Sequence, residues 1–511
     1  MSTDIRPQTG TQVVNALARF RRLHETQGLT PEVATRLATE AAAAFVDQYT
    51  ASEHYLGEAV TLLCELASLD DPALSQIGVH GLFPLLVERL GDAFTPEACA
   101  LYNRLFAQVI QHCRRQPNGV AIDRQLQAFG LGTEADLLLR AAHVRTLRRF
   151  DKEQIRSVKK AFVLSRVTLG ADVAVTSVVL AALRKVFPTA EIKLLAHAKT
   201  LQLFAGDPRV HLRAIEYPRG GALAVRLTSW QRAVEAIQQD TKGLHPTEYV
   251  IVDPDSRLTQ LGLLPLVADE RPYFFFESRS YCVAGLVKLS ALTAHWLQQV
   301  FGMAEPVYPY CTPSQLDVAI AQRSVDILKT SAKGPIVSVN LGVGANPAKR
   351  LPDLFEFRLI ARLLSEGATV ILDKGGDAEE VARVERLVAT LGNEGFRTLA
   401  LDEGPEAVPL PAEVSSTRLL TWQGGIGRFA AFIAASTAYI GYDSAGQHIA
   451  AALGVPTIDI FTGFTSPRMP ERWAPQGSGP VHMVVVAAGE TLLPARLEAI
   501  VDDVLAHVPR G

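Results

Sequence analysis

Three short segments of this 511-residue chain place chemically able side chains at the ends of apolar runs. The first is Gly170-Ala171-Asp172, in the turn after AFVLSRV. A carboxylate just before a helix start is electrostatically favoured and lies at the mouth of a sheet. Asp172 is then either a general base that takes a proton from an acceptor hydroxyl or an N-cap that holds backbone amides. The second segment is Gly342-Val343-Gly344-Ala345-Asn346-Pro347-Ala348-Lys349-Arg350, between a strand and a helix at Leu354. Glycines let a backbone approach a phosphate, and a lysine supplies the opposing charge. The run lacks the Walker A spacing and the Rossmann glycine pattern, so phosphate loop and ordinary turn stand level. The third segment is Tyr442-Asp443-Ser444-Ala445-Gly446-Gln447-His448. Small residues at a helix N-terminus leave amides for an anion. Asp443 either accepts hydrogen bonds from sugar hydroxyls or caps the helix. His448, taken alone, reads as a packed, hydrogen-bonded histidine.

The elements that must hold these segments alternate between strand and helix. AFVLSRV, the loop TLGAD, the helix VAVTSVVLAALRKVF and the strand EIKLLAH make the start of a βαβ unit. YVIVD (249–253) and PYFFFE (272–277) are further strands. A second series begins at PIVSVNLGVG (335–344) and continues through ATVILDKGG, FRTLAL, AYIGYDS and PTIDIF, with helices of 10–15 residues between them. The tail LLPARLEAIVDDVLAHV is a final amphipathic helix. Ahead of all this, residues 12–147 read as helix after helix. Thr30-Pro31-Glu32 and Thr95-Pro96-Glu97 each give cap, first-position proline and a favourable acid.

Composition narrows the class. Hydrophobic residues make up 48% and charged residues 20%, the balance of a chain with large cores. A net charge of −3 gives no global pull toward nucleic acid, so none is expected as a partner. Residues 145–160 carry seven Lys or Arg against two acids. They read as a solvated connector or as a patch for lipid phosphates, hence for peripheral membrane contact. Cys64, Cys99, Cys113, Cys282 and Cys311 form no Cys-x-x-Cys pair, which fits a reducing compartment. The N-terminus lacks an apolar signal core, and no apolar run reaches membrane-spanning length, so the expected location is cytoplasmic. The second α/β region contains no Asp-x-Asp, and no His/Cys cluster stands out at ligand spacing, so no metal is expected.

In content and order the three segments resemble glycosyltransferase family 9, the ADP-heptose:lipopolysaccharide heptosyltransferases. The residues that carry the resemblance are Asp172-Val173 with Thr176 and Leu180, then Lys349-Arg350-Leu351-Pro352. They end with Asp443-Ser444, His448, AAALG, Pro456 and the strand to Phe461. It covers about residues 160–505 and leaves out the N-terminal helices. It implies an α/β, GT-B fold of two Rossmann-like doubly wound domains facing a cleft, here preceded by an all-α domain. The expected division is 1–150 helical, 156–325 acceptor side, 333–490 donor side and 491–511 a C-terminal helix. The implied reaction is an inverting, metal-independent transfer of a heptose-like sugar from a nucleotide diphosphate to an acceptor hydroxyl, in lipopolysaccharide or surface-glycan synthesis.

By the same resemblance Asp172 is the base and Lys349 neutralises the leaving diphosphate. Gly344, Ala345, Asn346, Asp443, Ser444, Ala445, Gly446 and His448 hold the donor. No cofactor is implied. The donor is ADP-linked by resemblance, with UDP and GDP open, and the acceptor is a glycan, a lipid-linked group or a protein. The N-terminal helices offer a surface for homo-oligomers. The chain departs from the family pattern at Ala171, which splits Gly from Asp, and at Val178, Leu351 and Ala445. The Ala445 methyl narrows backbone approach to the donor, so the sugar need not be heptose. Two other readings stay open: a non-catalytic nucleotide-sugar-binding partner or scaffold protein, and another GT-B enzyme such as a nucleotide-sugar epimerase.

Overall fold

The computed structural model describes residues 6–510 except 88–89, 91–92, 219–222, 332–333, 345, 402, 405–410, 415–416, 465 and 488. Its strands are β1 (Lys160–Leu164), β2 (Glu191–Ala196), β3 (Val210–Ala214), β4 (Tyr249–Asp253), β5 (Tyr273–Phe275) and β6 (Ile336–Asn340). They continue with β7 (Thr369–Asp373), β8 (Thr398–Leu401), β9 (Leu419–Trp422), β10 (Ala438–Tyr442), β11 (Thr457–Phe461) and β12 (Val481–Val485). By internal contact the chain divides into two compact units, 1–148 with 215–281, and 149–214 with 282–511.

The first unit opens with helices, as the capping signals require. Thr30 accepts a hydrogen bond from Val33 N at 3.4 Å and Thr95 from Ala98 N at 3.2 Å, each with proline at the head of its helix. The helices Pro31–Ser52, Gly57–Ala67 and Pro96–Arg114 bury Phe45, Leu63, Leu66, Leu105 and Ile110 as their shared core. The unit also holds the helix Thr228–Asp240, whose Trp230 Nε1 donates to Pro265 O at 2.6 Å, and the parallel pair β4–β5. Part of the basic run is built into this unit. Arg145 pairs with Glu277 at 2.6 Å and donates to Leu261 O, while Arg148 donates to the carbonyls of Glu270 and Tyr273. These two arginines therefore form neither a solvated connector nor an open lipid-facing patch.

The second unit carries the parallel order β3-β2-β1 and a seven-stranded sheet ordered β12-β11-β10-β6-β7-β9-β8. Every described strand pair is parallel, and β7, β9, β10 and β11 are buried along their whole length. That is why they read as continuous apolar runs and not as alternation. On one face the helices Asp353–Ser365 and Pro494–Ala506 press Phe355, Leu359, Leu497 and Val501 onto Val339, Val370 and Ile440. Parallel strands with helical crossovers in two sheets make the GT-B architecture of two Rossmann-like domains. The βα turns that leave the carboxyl ends of β6 and β10 carry the second and third chemical segments.

Candidate functional site

Asp172 is not where a loop reading puts it. TLGAD is not all loop: Leu169–Ala171 is already helical, and Asp172–Thr176 continues as a π turn into the helix Ser177–Val186. A π turn inserts one extra residue and often marks a functional position. Asp172 is therefore inside the helical path, and its carboxylate caps none of its own helix amides. It is fully buried and takes four donors. Ser165 Oγ at 2.7 Å and Thr200 Oγ1 at 3.0 Å reach Oδ2, while Arg166 N and Thr176 Oγ1, both at 2.8 Å, reach Oδ1. Burial pushes this carboxyl up, against those four bonds. Four donors match the roughly four lone-pair sites of a carboxylate. A base role requires one hydroxyl to yield its place to an acceptor. Nearby Val167, β-branched, sits at φ 75°, so the turn is held under strain.

The glycine-rich run is filled from within. Gly344 N donates to Glu380 Oε1 at 3.0 Å, Gly376 N to Glu380 Oε2 at 3.1 Å, and Gly342 N to Asn340 Oδ1 at 3.1 Å. An internal carboxylate thus occupies the place that a phosphate loop keeps for its anion. Asn346 spends its side chain capping Ala348 N at 3.1 Å, at the head of the short turn Pro347–Lys349. Ala345 lies outside the described residues.

Lys349 points elsewhere, to Asp443 Oδ2 at 2.5 Å. Its turn is fixed from two sides. Gly463, in the turn after β11 at φ 67°, comes so near that a Cβ there would stand 2.0 Å from Ala348 O. On the other side Glu356, almost fully buried, holds Arg350 at 3.0 Å and Arg383 at 2.8 Å and accepts from Tyr442 OH at 3.2 Å. Tyr442 OH in turn accepts from Leu351 N at 3.2 Å. This network ties the lysine turn to the end of β10.

The third segment is the densest. Asp443, nearly buried, accepts from Lys349 and from Gln447 Nε2 at 2.8 Å. Ser444 occupies the N-cap of the helix Ala445–Ala452 but makes no capping bond. Burial holds His448 down to about 4, so its imidazole is neutral, packed 6.0 Å from the Trp473 ring. Gly446 must be glycine, because a Cβ there would lie 1.9 Å from Tyr439 OH. Around this helix start several buried polar atoms make no hydrogen bond: Gln447 Oε1 and both carboxylate oxygens of Asp459. Tyr439 OH faces Ser444 Oγ, yet neither makes a bond of ordinary geometry. Native interiors rarely leave such atoms unpaired, and a concentration of them marks a place that a ligand or water completes. Asp459, paired in register with Gly441, is fully buried beside Asp443, and burial pushes its carboxyl well above the ordinary range.

The second unit thus brings all three segments together. A Cβ on Gly170 would lie 3.3 Å from His448 Cδ2 and 3.4 Å from Ala445 Cα, so the Asp172 turn rests directly on the helix Ala445–Ala452. Gly344 and Asn346 serve the loop itself, while Lys349 joins Asp443. Sequence reasoning missed Asp459, Gln447 and Tyr439. An acid inside the apolar strand TIDIF was the available signal. It also passed over Asp253-Pro254-Asp255, an Asp-x-Asp at the end of β4 in the first unit. There Asp253 binds Thr259, Tyr273 and Ser256 N, and burial pushes it up to about 6. Asp255 binds Ser278 at 2.9 Å and Arg279 at 2.7 Å.

Two sheets of parallel strands, with a cation–carboxylate pair and bare polar groups at a βα turn, fit a GT-B fold with a ligand site on its second sheet. Residues 413–485, which run through β9 to β12 and contain Asp443–His448, match the model of glycosyltransferase family 9 (heptosyltransferase), the family that the motifs resemble. Asp172 and Lys349 lie outside the matched stretch. Among solved structures the chain is similar to a glycosyl transferase family 9 protein from Veillonella parvula, at 16% identity and TM-score 0.49, covering 71% of this chain and 98% of that one. It is also similar to E. coli ADP-heptose lps heptosyltransferase II, at 16% identity and TM-score 0.44, covering 68% and 98%. A third is the E. coli heptosyltransferase WaaC with ADP, at 16% identity and TM-score 0.41, covering 68% and 99%. No curated protein matches the sequence.

Proposed function

We propose that this glycosyltransferase moves a heptose-like sugar from a nucleoside diphosphate, ADP-linked in the first instance, to an acceptor hydroxyl in lipopolysaccharide or surface-glycan synthesis. The observation that carries the reading is the Lys349–Asp443 pair beside the buried, unbonded groups of Ser444, Gln447 and Asp459. Lys349 exchanges Asp443 for the diphosphate, whose charge grows as the glycosidic C–O bond breaks. Asp443, Gln447 and Ser444 then take sugar hydroxyls. The acceptor oxygen attacks the anomeric carbon from the opposite face, the diphosphate leaves with the bonding pair, and the configuration inverts. The acceptor proton passes to Asp172, either directly or through Ser165 or Thr200. In this reading 333–490 is the donor domain, 156–325 serves the acceptor, and no metal takes part. Five free cysteines, four of them buried, suit the reducing cytoplasmic compartment proposed.

A second reading, a non-catalytic nucleotide-sugar-binding partner protein, draws support from one observation, the complete internal ligation of Asp172. An assay for nucleoside diphosphate release from ADP-heptose, with and without an acceptor extract, separates the two. Turnover that disappears in Lys349→Ala supports transfer. Saturable donor binding without any turnover supports the partner protein.

A further inference from the structure

Away from the donor-side site, the described residues bring together one group of metal-ligating side chains: His482, Asp503 and His507. His482 is the second residue of β12, the edge strand of the seven-stranded sheet. Asp503 lies in the last turn of the helix Pro494–Ala506, and His507 is the residue that ends it. All three side chains are partly or largely exposed. His482 Nε2 stands 3.1 Å from Asp503 Oδ1, and His507 Nδ1 stands 3.5 Å from the same oxygen. One ligand atom from each of the three lies within 4.8 Å of the other two.

The 3.1 Å between His482 Nε2 and Asp503 Oδ1 is the spacing of two ligands of one ion, and His507 offers its Nε2, because its Nδ1 is held by a backbone carbonyl. Ligands at about 2.0–2.1 Å from a tetrahedral zinc stand about 3.4 Å from one another. The two imidazoles stack at 3.3 Å between centroids, so sharing one ion requires one exposed ring to turn its lone pair toward the other. His507 Nδ1 lies 2.8 Å from the Asp503 carbonyl oxygen, which can only accept. That bond fixes the tautomer and leaves Nε2 with its lone pair, as second-shell bonds do for metal-ligating histidines. Two imidazoles and one carboxylate suit the borderline ions of the zinc class and not magnesium or calcium, which favour all-oxygen sites.

We propose that His482, Asp503 and His507 bind one zinc-class divalent ion, with the fourth position open to water, and so clamp the C-terminal helix to the sheet edge. Register pairs His482 with Ile458, near the amino end of β11, whereas the donor-side turns leave the carboxyl ends of the same parallel strands. The clamp is therefore separate from the transfer chemistry, and a metal-independent reaction remains compatible with it. No local pattern announces this cluster, because its ligands come from a strand and a helix about twenty residues apart in the chain.

The test uses the full chain, stripped with a chelator and dialysed, then titrated calorimetrically with zinc chloride. The expected result is one saturable equivalent, a raised melting temperature in zinc, and no response to magnesium. His482→Ala and His507→Ala each remove both effects while sugar transfer persists. The chain has 12 histidines, so the double variant decides whether binding belongs to this cluster. Absent saturable binding in the wild type overturns the proposal, and so does equal binding by the double variant, which places zinc elsewhere.

Discussion

Asp172 shows how much a single side chain can be asked to do. Its carboxylate joins the end of β1, the π turn and Thr200, so it is structural whatever else it does. Asn keeps the shape, and the Ser165 and Thr hydroxyls can rotate to accept from its amide. Asp172→Asn should therefore cost about 1–3 kcal/mol, read as a lower denaturation midpoint. If Asp172 is also the base, turnover falls by roughly 10²–10⁴-fold while donor affinity holds. Turnover near wild type in a folded variant removes Asp172 from the chemistry. Asp459 makes the complementary case. Its carboxyl is raised by burial, so above the ordinary value of 3.8 the unfolded chain releases a proton that the folded one keeps. Stability then falls as pH rises, by up to about 1.4 kcal/mol per unit. Asp459→Asn cannot titrate, so the gap in stability between variant and wild type should widen from pH 5 to pH 8 in urea melts. Parallel pH curves for the two proteins contradict a neutral, buried Asp459.

Strands and helices were the legible level of this fold. Runs such as YVIVD and PTIDIF announce buried parallel strands, and Thr-Pro-Glu announces helix starts, because short-range chemistry sets both. The strands β3, β9 and β12 were not read. β3 and β12 are short and partly exposed, and β9 follows a stretch without clear periodicity. The π turn at Asp172 escaped because one inserted residue leaves the apolar pattern almost unchanged. Glu380, whose carboxylate fills the glycine loop, and Glu356, which anchors the lysine turn, act across long gaps in the chain that no local pattern reveals. Glu356 is the clearest element-level test. Glu356→Ala strands Arg383, and the loss of one partner of a buried pair costs about 3–5 kcal/mol. The lysine turn loosens with it, so donor affinity should drop in any variant that still folds. An unchanged denaturation midpoint would show that the network does not hold the turn.

For the whole molecule, the sequence suggested a helical segment followed by two α/β regions. Contacts group residues 1–148 with 215–281. The pairing rests on links such as Arg140 to Glu270 at 2.6 Å and Phe129 against Trp230 at 6.3 Å. Partners so far apart in sequence leave no compositional seam to read. The second unit carries all three chemical segments, and in the proposed reading Lys349 and the turn at Asp443 receive a nucleoside diphosphate there. The most direct measurement is a calorimetric titration of ADP, with UDP and GDP alongside, into the wild type and Lys349→Ala. One nucleoside diphosphate should bind the wild type, and the variant, folded normally, should bind it more weakly. A lost charge-assisted contact of about 1.5–3 kcal/mol corresponds to a drop of roughly ten- to hundredfold. Equal affinity in both proteins, or no binding of any nucleoside diphosphate to the wild type, would contradict it.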